Sequence, residues 1–311
     1  MNRQKLILDC DPGHDDAVAI MLAAGSPELE LLGITVVSGN QTIEKTANNG
    51  LHVCQHLNID VPVYAGSAQP MVRNRPPIAD DIHGQTGLDG PVFAPLNRKL
   101  QPEHAVLYLI DTLDRSDGDI TVVTTGPMTN LAMAMRLQPR IVPKIKQIVF
   151  MGGTYGLGNV TPAAEFNIVT DAEAAYVVFT CGRPLTMVGL DVTRKVLCLP
   201  AIIDRMQRLN TKSATLFADM MRFFNQTQKA VFGWEGGPLH DPVTIAYLLD
   251  PTLLTIRPMH AQVDLRSTDS YGRTNCDFFG YQHNTPNVDV AIDIDVQKFW
   301  NIVEKGLRNH D

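Results

Sequence analysis

The chain opens on an apolar run at 6–8 that stops at Asp9-Cys10-Asp11-Pro12-Gly13-His14-Asp15-Asp16 and restarts as apolar positions with helical spacing over 17–24. A buried strand that passes through a Pro-Gly turn into a helix gives this pattern. The same alternation recurs: strand 29–37, helix 42–57, short strand 61–64, then helix 103–115, strand 120–125, helix 128–137, strand 147–151, helix 171–180 and strand 185–190. Strands and helices at this spacing predict βαβ units, and so an α/β fold with an open, mostly parallel, Rossmann-like sheet flanked by helices. Over 199–250 the pattern turns helical, broken by Gly233-Trp234-Glu235-Gly236-Gly237-Pro238 just before Leu239-His240-Asp241-Pro242. The tail adds strand-like stretches at 262–265 and 288–294 and a last helix from 296. With no repeat, low-complexity tract or linker, residues 1–311 read as one domain with a helical elaboration near 199–250.

Two loops break the rhythm. Residues 67–102 carry prolines at 70, 76, 77, 91 and 95 and the polar run from Asp80 to Gly90, and a loop of this length inside a compact domain is usually functional. A second, glycine-rich loop runs from Gly152 through Gly158, directly after a strand. In open α/β sheets the ligand site lies beyond the carboxyl ends of the strands, where Asp9, Asp11 and both loops fall.

Composition narrows the partners. With 26 basic and 33 acidic residues the net charge is −7, and no dense Lys/Arg run occurs, which argues against nucleic acid and anionic membrane. The five cysteines show no Cys-x-x-Cys pairing and read as reduced thiols. Without a signal-like apolar core before Asp9 or a run of 18 apolar residues, a cytoplasmic protein is expected.

The acidic cluster changes the picture most. Asp9 and Asp11, two apart on an extended chain, are expected to point the same way, with Asp15 and Asp16 in the first helical turn. Acids in a first turn can simply complement the helix dipole, but that does not account for two at the end of an apolar strand. No Lys or Arg lies between Lys5 and Lys45, so a hard cation held by carboxylate oxygens is the simplest neutraliser. Asp241-Pro242 taken alone is an ordinary helix start, His240 a satisfied histidine beside it, and His83 a loop residue.

Together the pieces are more specific. The Asp9 to Asp16 motif, with Ser38-Gly39-Asn40, Thr125-Gly126-Pro127, Met151-Gly152-Gly153, Glu165-Phe166-Asn167 and His240-Asp241-Pro242 in order along nearly the whole chain, resembles the inosine-uridine-preferring nucleoside hydrolase family. The His83 loop and the segment up to His240 are similar to the bacterial pyrimidine-preferring ribonucleoside hydrolases. The resemblance implies a calcium ion held by Asp11, Asp16, the Thr125 carbonyl and Asp241, with Asp11 also the general base for a water. It places Asp15, Asn40, Asn159, Glu165 and Asn167 at the ribose hydroxyls and Met151 against the sugar. It implies cleavage of the N-glycosidic bond of ribonucleosides, uridine and cytidine in particular, and a homotetramer.

Loss of the base proceeds through an oxocarbenium-like sugar, which nearby negative charge stabilises. The base leaves more easily if protonated, and His240, then His83, are the candidate acids. Pyrimidine-preferring relatives tend to carry a tyrosine eight residues before the histidine of the His-Asp pair; here Phe232 stands there, without a hydroxyl. Gln228, one helical turn earlier, would face the same side and could read the base. Two other readings compete. A haloacid-dehalogenase-like phosphatase also carries Asp-x-Asp after its first strand, but the extra carboxylates here would repel a phosphate. A non-catalytic, calcium-dependent nucleoside-binding protein would need neither Asp11 nor His240.

Overall fold

The computed structural model describes residues 3–72 and 78–310, so Pro76 and Pro77 of the long loop lie outside the described residues. Eight strands form the main sheet: β1 (Gln4–Cys10), β2 (Leu29–Val36), β3 (Val63–Ala65), β4 (Ile120–Thr124), β5 (Ile145–Met151), β6 (Leu185–Val188), β7 (Leu254–Met259) and β8 (Val288–Ile294). Their spatial order is β3-β2-β1-β4-β5-β6-β8-β7. Every neighbouring pair is parallel except β7 with β8. The expected open, mostly parallel α/β sheet is what forms.

Side-chain alternation along β1 explains how the sheet is sandwiched. Leu6, Leu8 and Cys10 face one apolar layer, built with the helices His14–Gly25, Ile43–His56, Lys212–Phe232, Pro242–Leu249 and Val296–Leu307. Ile7 faces the other, built with Ala105–Arg115, Thr129–Leu137 and Ala172–Phe179. The Val296–Leu307 helix is latched to the first helix just past its end: Asn309 Nδ2 donates to the Gly25 carbonyl at 2.8 Å, and His310 Nε2 lies 2.7 Å from the Met21 carbonyl.

The chain leaves β1 toward β2 and β3, then returns to the other side of β1 as β4. A crevice therefore opens at the carboxyl ends of β1 and β4, where strand order reverses. Asp11 and Thr125 are the residues that emerge there. The Thr125 N–H donates to the Asp9 carbonyl at 2.8 Å, extending the β1–β4 ladder to the edge of the crevice.

Several elements differ from expectation. The strand expected over 185–190 ends at Val188, and Leu190–Thr193 is a short helix. β7, an antiparallel edge strand, carries Pro258, which an edge position tolerates because one face of its ladder is free. The 199–250 region is helical as expected, but the glycine-rich interruption contributes a two-residue strand, Gly237–Pro238, paired with Leu197–Cys198. Within the long loop, Asp80–His83 makes a single helical turn. Among the described residues no helix is long and apolar enough to cross a membrane.

Candidate active site

A cavity of about 600 Å³ opens at the crevice. Its polar lining includes Asp15, Asn40, Glu165, Asn167 and Asp241 together with His83, Gln228 and His240.

Asp15 and Asp241, which line it, group with the buried Asp16, one carboxylate oxygen of each lying within 4.8 Å of the others. Burial, then the Asp16 charge, pushes Asp15 up to about 7. Burial followed by the Asp15 and Asp16 charges pushes Asp241 well above the usual carboxylate range. Asp16 is raised too, chiefly by burial, although the Gly13 N–H and the Thr125 hydroxyl donate to it at 3.0 and 2.7 Å.

Asp11 lies fully buried behind this group. Burial first and the Asp16 charge second raise its carboxyl well above the normal range. Asn40 N–H donates to its Oδ2 at 2.6 Å, while Oδ1 has no hydrogen-bond partner among the described residues. The approach is close enough to demand glycine at 39, since a Cβ there would sit 2.1 Å from Asp11 Oδ2. Asn40 ties the two acids together, donating Nδ2 to the Asp11 carbonyl and to Asp16 Oδ2 at 3.1 and 3.2 Å.

An unpaired buried carboxylate oxygen beside three carboxylates, each raised chiefly by burial, is unfavourable without a positive partner, and an oxygen-only donor set suits a hard cation. The residues present therefore fit a bound divalent metal. The geometry brings Asp15 into the closest trio, where the resemblance has Asp11.

Asp9 does not join them, contrary to the expectation that it would point with Asp11. Its Oδ1 accepts from Thr35 Oγ1 at 2.7 Å and from Asn130 Nδ2 at 2.9 Å, on the side of the Thr129–Leu137 helix. Burial pushes this carboxyl up to about 7. The Pro12-Gly13 turn ends the extended geometry after Cys10, so the period of two no longer relates residues 9 and 11.

Glu165 caps the short helix Phe166–Thr170, accepting from the N–H groups of Asn167, Ile168 and Gly153 at 3.0, 3.2 and 2.9 Å. Burial still raises it to about 7. Asn167 Nδ2 reaches the carbonyls of Thr125 and Met151 at 2.7 and 3.1 Å. Asn159 is exposed in the glycine-rich loop, and its Oδ1 accepts from the Phe166 N–H at 2.9 Å.

His240 Nδ1 lies 2.7 Å from Thr193 Oγ1. Burial, aided by the Arg194 charge, pulls this imidazole down to about 3. His83 is held well below the normal histidine range by burial and by His14 and His240. Gln228 is buried with its Oε1 unpartnered among the described residues, one turn before Phe232 on the same cavity wall. Phe232 is 44% exposed at the mouth and stacks on Trp234 with ring centroids 4.8 Å apart.

A family model described as inosine-uridine preferring nucleoside hydrolase matches residues 6–301. The chain belongs to this family. The nucleoside hydrolase fold is equally clear in solved structures: a purine-preferring ribonucleoside hydrolase from Gardnerella vaginalis superposes with a TM-score of 0.91 at 36% identity, covering 98% of each chain. A plant nucleoside hydrolase superposes with a TM-score of 0.91 at 31% identity, covering 99% of each chain. The pyrimidine-specific ribonucleoside hydrolase RihB of Escherichia coli strain K12 is 54% identical over 310 residues, 100% of this chain and 99% of that one.

In this nucleoside hydrolase three contributors to the cavity escaped sequence reasoning. Thr193 contacts His240, Arg194 lines the wall, and His14 stands behind His83. His14 lies inside the acidic motif, so its position was visible but its partner, 69 residues on, was not. Thr193 ends and Arg194 caps the short helix Leu190–Thr193, just past the strand expected over 185–190.

Proposed function

We propose that the protein hydrolyses the N-glycosidic bond of pyrimidine ribonucleosides, uridine and cytidine, to free base and ribose. The observation that carries this is a single cavity lined both by the buried carboxylates of Asp15, Glu165 and Asp241 and by the neutral imidazoles of His83 and His240, with the unpartnered amide oxygen of Gln228. The likeness to RihB favours pyrimidines, although the Gardnerella relative is titled purine-preferring.

A calcium ion would be held by Asp11, Asp16, the Thr125 carbonyl and Asp241; when bound it would raise the acidity of a water and bind ribose hydroxyls. Asp11, with one oxygen unpaired, accepts the proton of the attacking water. Asp15, Asn40, Asn159, Glu165 and Asn167 hold the ribose hydroxyls, with Met151 against the ring, and the carboxylates favour positive charge growing at C1′. The C1′–N bond breaks as the water oxygen bonds C1′, and the base carries away the electron pair. A proton from His240, with His83 as the second candidate, neutralises it. Both histidines are neutral, and a neutral imidazole still donates one ring N–H. Phe232 contributes an apolar face in place of a relay hydroxyl, and Gln228 offers an amide to the base.

We also infer one domain over residues 1–311, since the same eight strands join both apolar layers, and a cytoplasmic location, supported by five free cysteines among the described residues. A homotetramer fits the large apolar side chains on the surface, Phe279 at 71% and Tyr281 at 77% exposure.

The test is release of free base from uridine, cytidine, inosine and adenosine, without phosphate, before and after a chelator. Calcium-dependent release that favours the pyrimidines supports the proposal. Release only with phosphate present, or from purines alone, rejects it.

A further inference from the structure

We propose that His14 is a positioning residue for His83, holding that imidazole so that its Nε2 meets the leaving base as a hydrogen-bond acceptor. This rests on the ribonucleoside hydrolase reading and divides the work between its two histidines.

His83 is tightly seated. The Pro12-Gly13 turn presses on one edge of the ring: a Cβ at residue 13 would lie 2.7 Å from His83 Nδ1 and 2.8 Å from Cε1. Phe224 stacks against the ring with centroids 5.6 Å apart. His14 completes the seat, with its Nδ1 3.0 Å from His83 Nδ1. At the same time Phe223 and Phe224 stack on His14, at 5.5 and 5.4 Å.

The hydrogens follow from the outer end of this chain. His14 Nε2 lies 2.8 Å from the main-chain carbonyl of Asp89. A carbonyl can only accept, so that nitrogen carries the hydrogen. The carbonyl is itself fixed, because the Asp89 carboxylate accepts from the N–H groups of Gln85 and Thr86, each at 3.0 Å, and from the Thr86 hydroxyl. A neutral His14 then has a bare Nδ1, and the 3.0 Å contact between the two Nδ1 atoms requires a hydrogen on His83. The His14 main-chain N–H, 3.3 Å from the same nitrogen, would suit a bare Nδ1; it is the longer approach and yields to the ring contact.

Neutral His83 is therefore left with its lone pair on Nε2. That atom has no partner among the described residues, and His83 lines the cavity. It would accept from an N–H on the base edge, such as the imide of uracil or the exocyclic amine of cytosine. The proton for the leaving nitrogen then falls to His240. Thr193 Oγ1 can donate to His240 Nδ1 and leave the hydrogen of that ring on Nε2.

The first measurement is a two-bond proton–nitrogen correlation spectrum of the histidine rings in the metal-loaded protein, with His83 identified by loss of its signals in His83→Phe. The expected spectrum shows a bare Nε2 and a protonated Nδ1 for His83. A hydrogen on Nε2 overturns the assignment. The second measurement uses His14→Phe, which keeps the ring stack and removes both nitrogens. The loss in kcat/KM on uridine is expected to exceed that on p-nitrophenyl riboside by ~10-fold, the scale of one hydrogen bond. Added to His83→Phe, it is expected to cost nothing further on uridine. Equal loss on both substrates, or full additivity, overturns the proposal. The ring assignment is read without turnover, so wild-type protein that leaves uridine intact would reject the hydrolase reading alone.

Discussion

Asn167 Nδ2 donates to the Thr125 carbonyl oxygen at 2.7 Å, joining the short helix Phe166–Thr170 to the residue after β4. That carbonyl is the one main-chain oxygen proposed for the cation, so the amide fixes its direction. Partners of this kind typically contribute ~10–100-fold to metal affinity. Asn167→Ala is expected to weaken calcium binding by a factor in that range, and to raise KM as a ribose contact is lost, read by titration against a competing chelator.

Asp11 is the proposed base, and its buried, partly unpaired carboxylate is unfavourable for the fold without a cation. Asp11→Ala is expected to lower kcat by at least ~10³-fold, the upper part of what one acid–base group contributes combined with loss of a cation ligand. The same change removes a buried carboxylate whose Oδ1 is unpaired, so the metal-free variant should melt no lower than metal-free wild type. Turnover near the wild-type rate would reject Asp11 as base.

Asp15, Asn40, Glu165 and Asn167 are the residues proposed to hold the ribose hydroxyls. With Asp15, Glu165 and the proposed cation all addressing adjacent hydroxyls, removal of the 2′-OH leaves buried groups unsatisfied. Deoxyuridine should be turned over at least ~10²-fold more slowly than uridine by kcat/KM. Equal rates would exclude the ribose assignments.

Glu165 makes a pH prediction with a defined sign. Burial lifts its folded-state pKa from 4.5 to about 7. Between those values the folded form holds a proton that the unfolded form has lost, so stability is fully present below about 4.5 and declines as pH rises toward about 7. Metal-free protein should therefore lose stability over that window, and Glu165→Gln should flatten this part of the slope in denaturant titrations followed from acid to neutral pH.

The sheet, its parallel sense and the site at the strand ends were legible because long apolar runs alternate with helical patterns, and Asp9 to Asp16 sits where one becomes the other. What was hidden depended on contacts distant in sequence. Nothing near Asp9 reveals that Asn130, 121 residues away, turns its carboxylate toward the opposite layer. The apolar run after residue 185 looks like a strand to its end, yet Leu190–Thr193 coils because the Leu190 N–H is taken by the Gly153 carbonyl at 3.0 Å. His14 was read only as part of an acidic motif, since its partners His83 and Asp89 come from a loop without periodicity.

The latch between the last helix and the first also bears on how the protein is made. Asp15 and Asp16 stand on a helix that is gripped at its far end by Asn309 and His310, while Thr125, Asn167 and Asp241 arrive from widely separated points of the chain. The ribosome must therefore pass residue 241 before the pocket can take shape, and a nascent chain stopped earlier would carry the acidic motif without the Asp241 carboxylate that completes the trio.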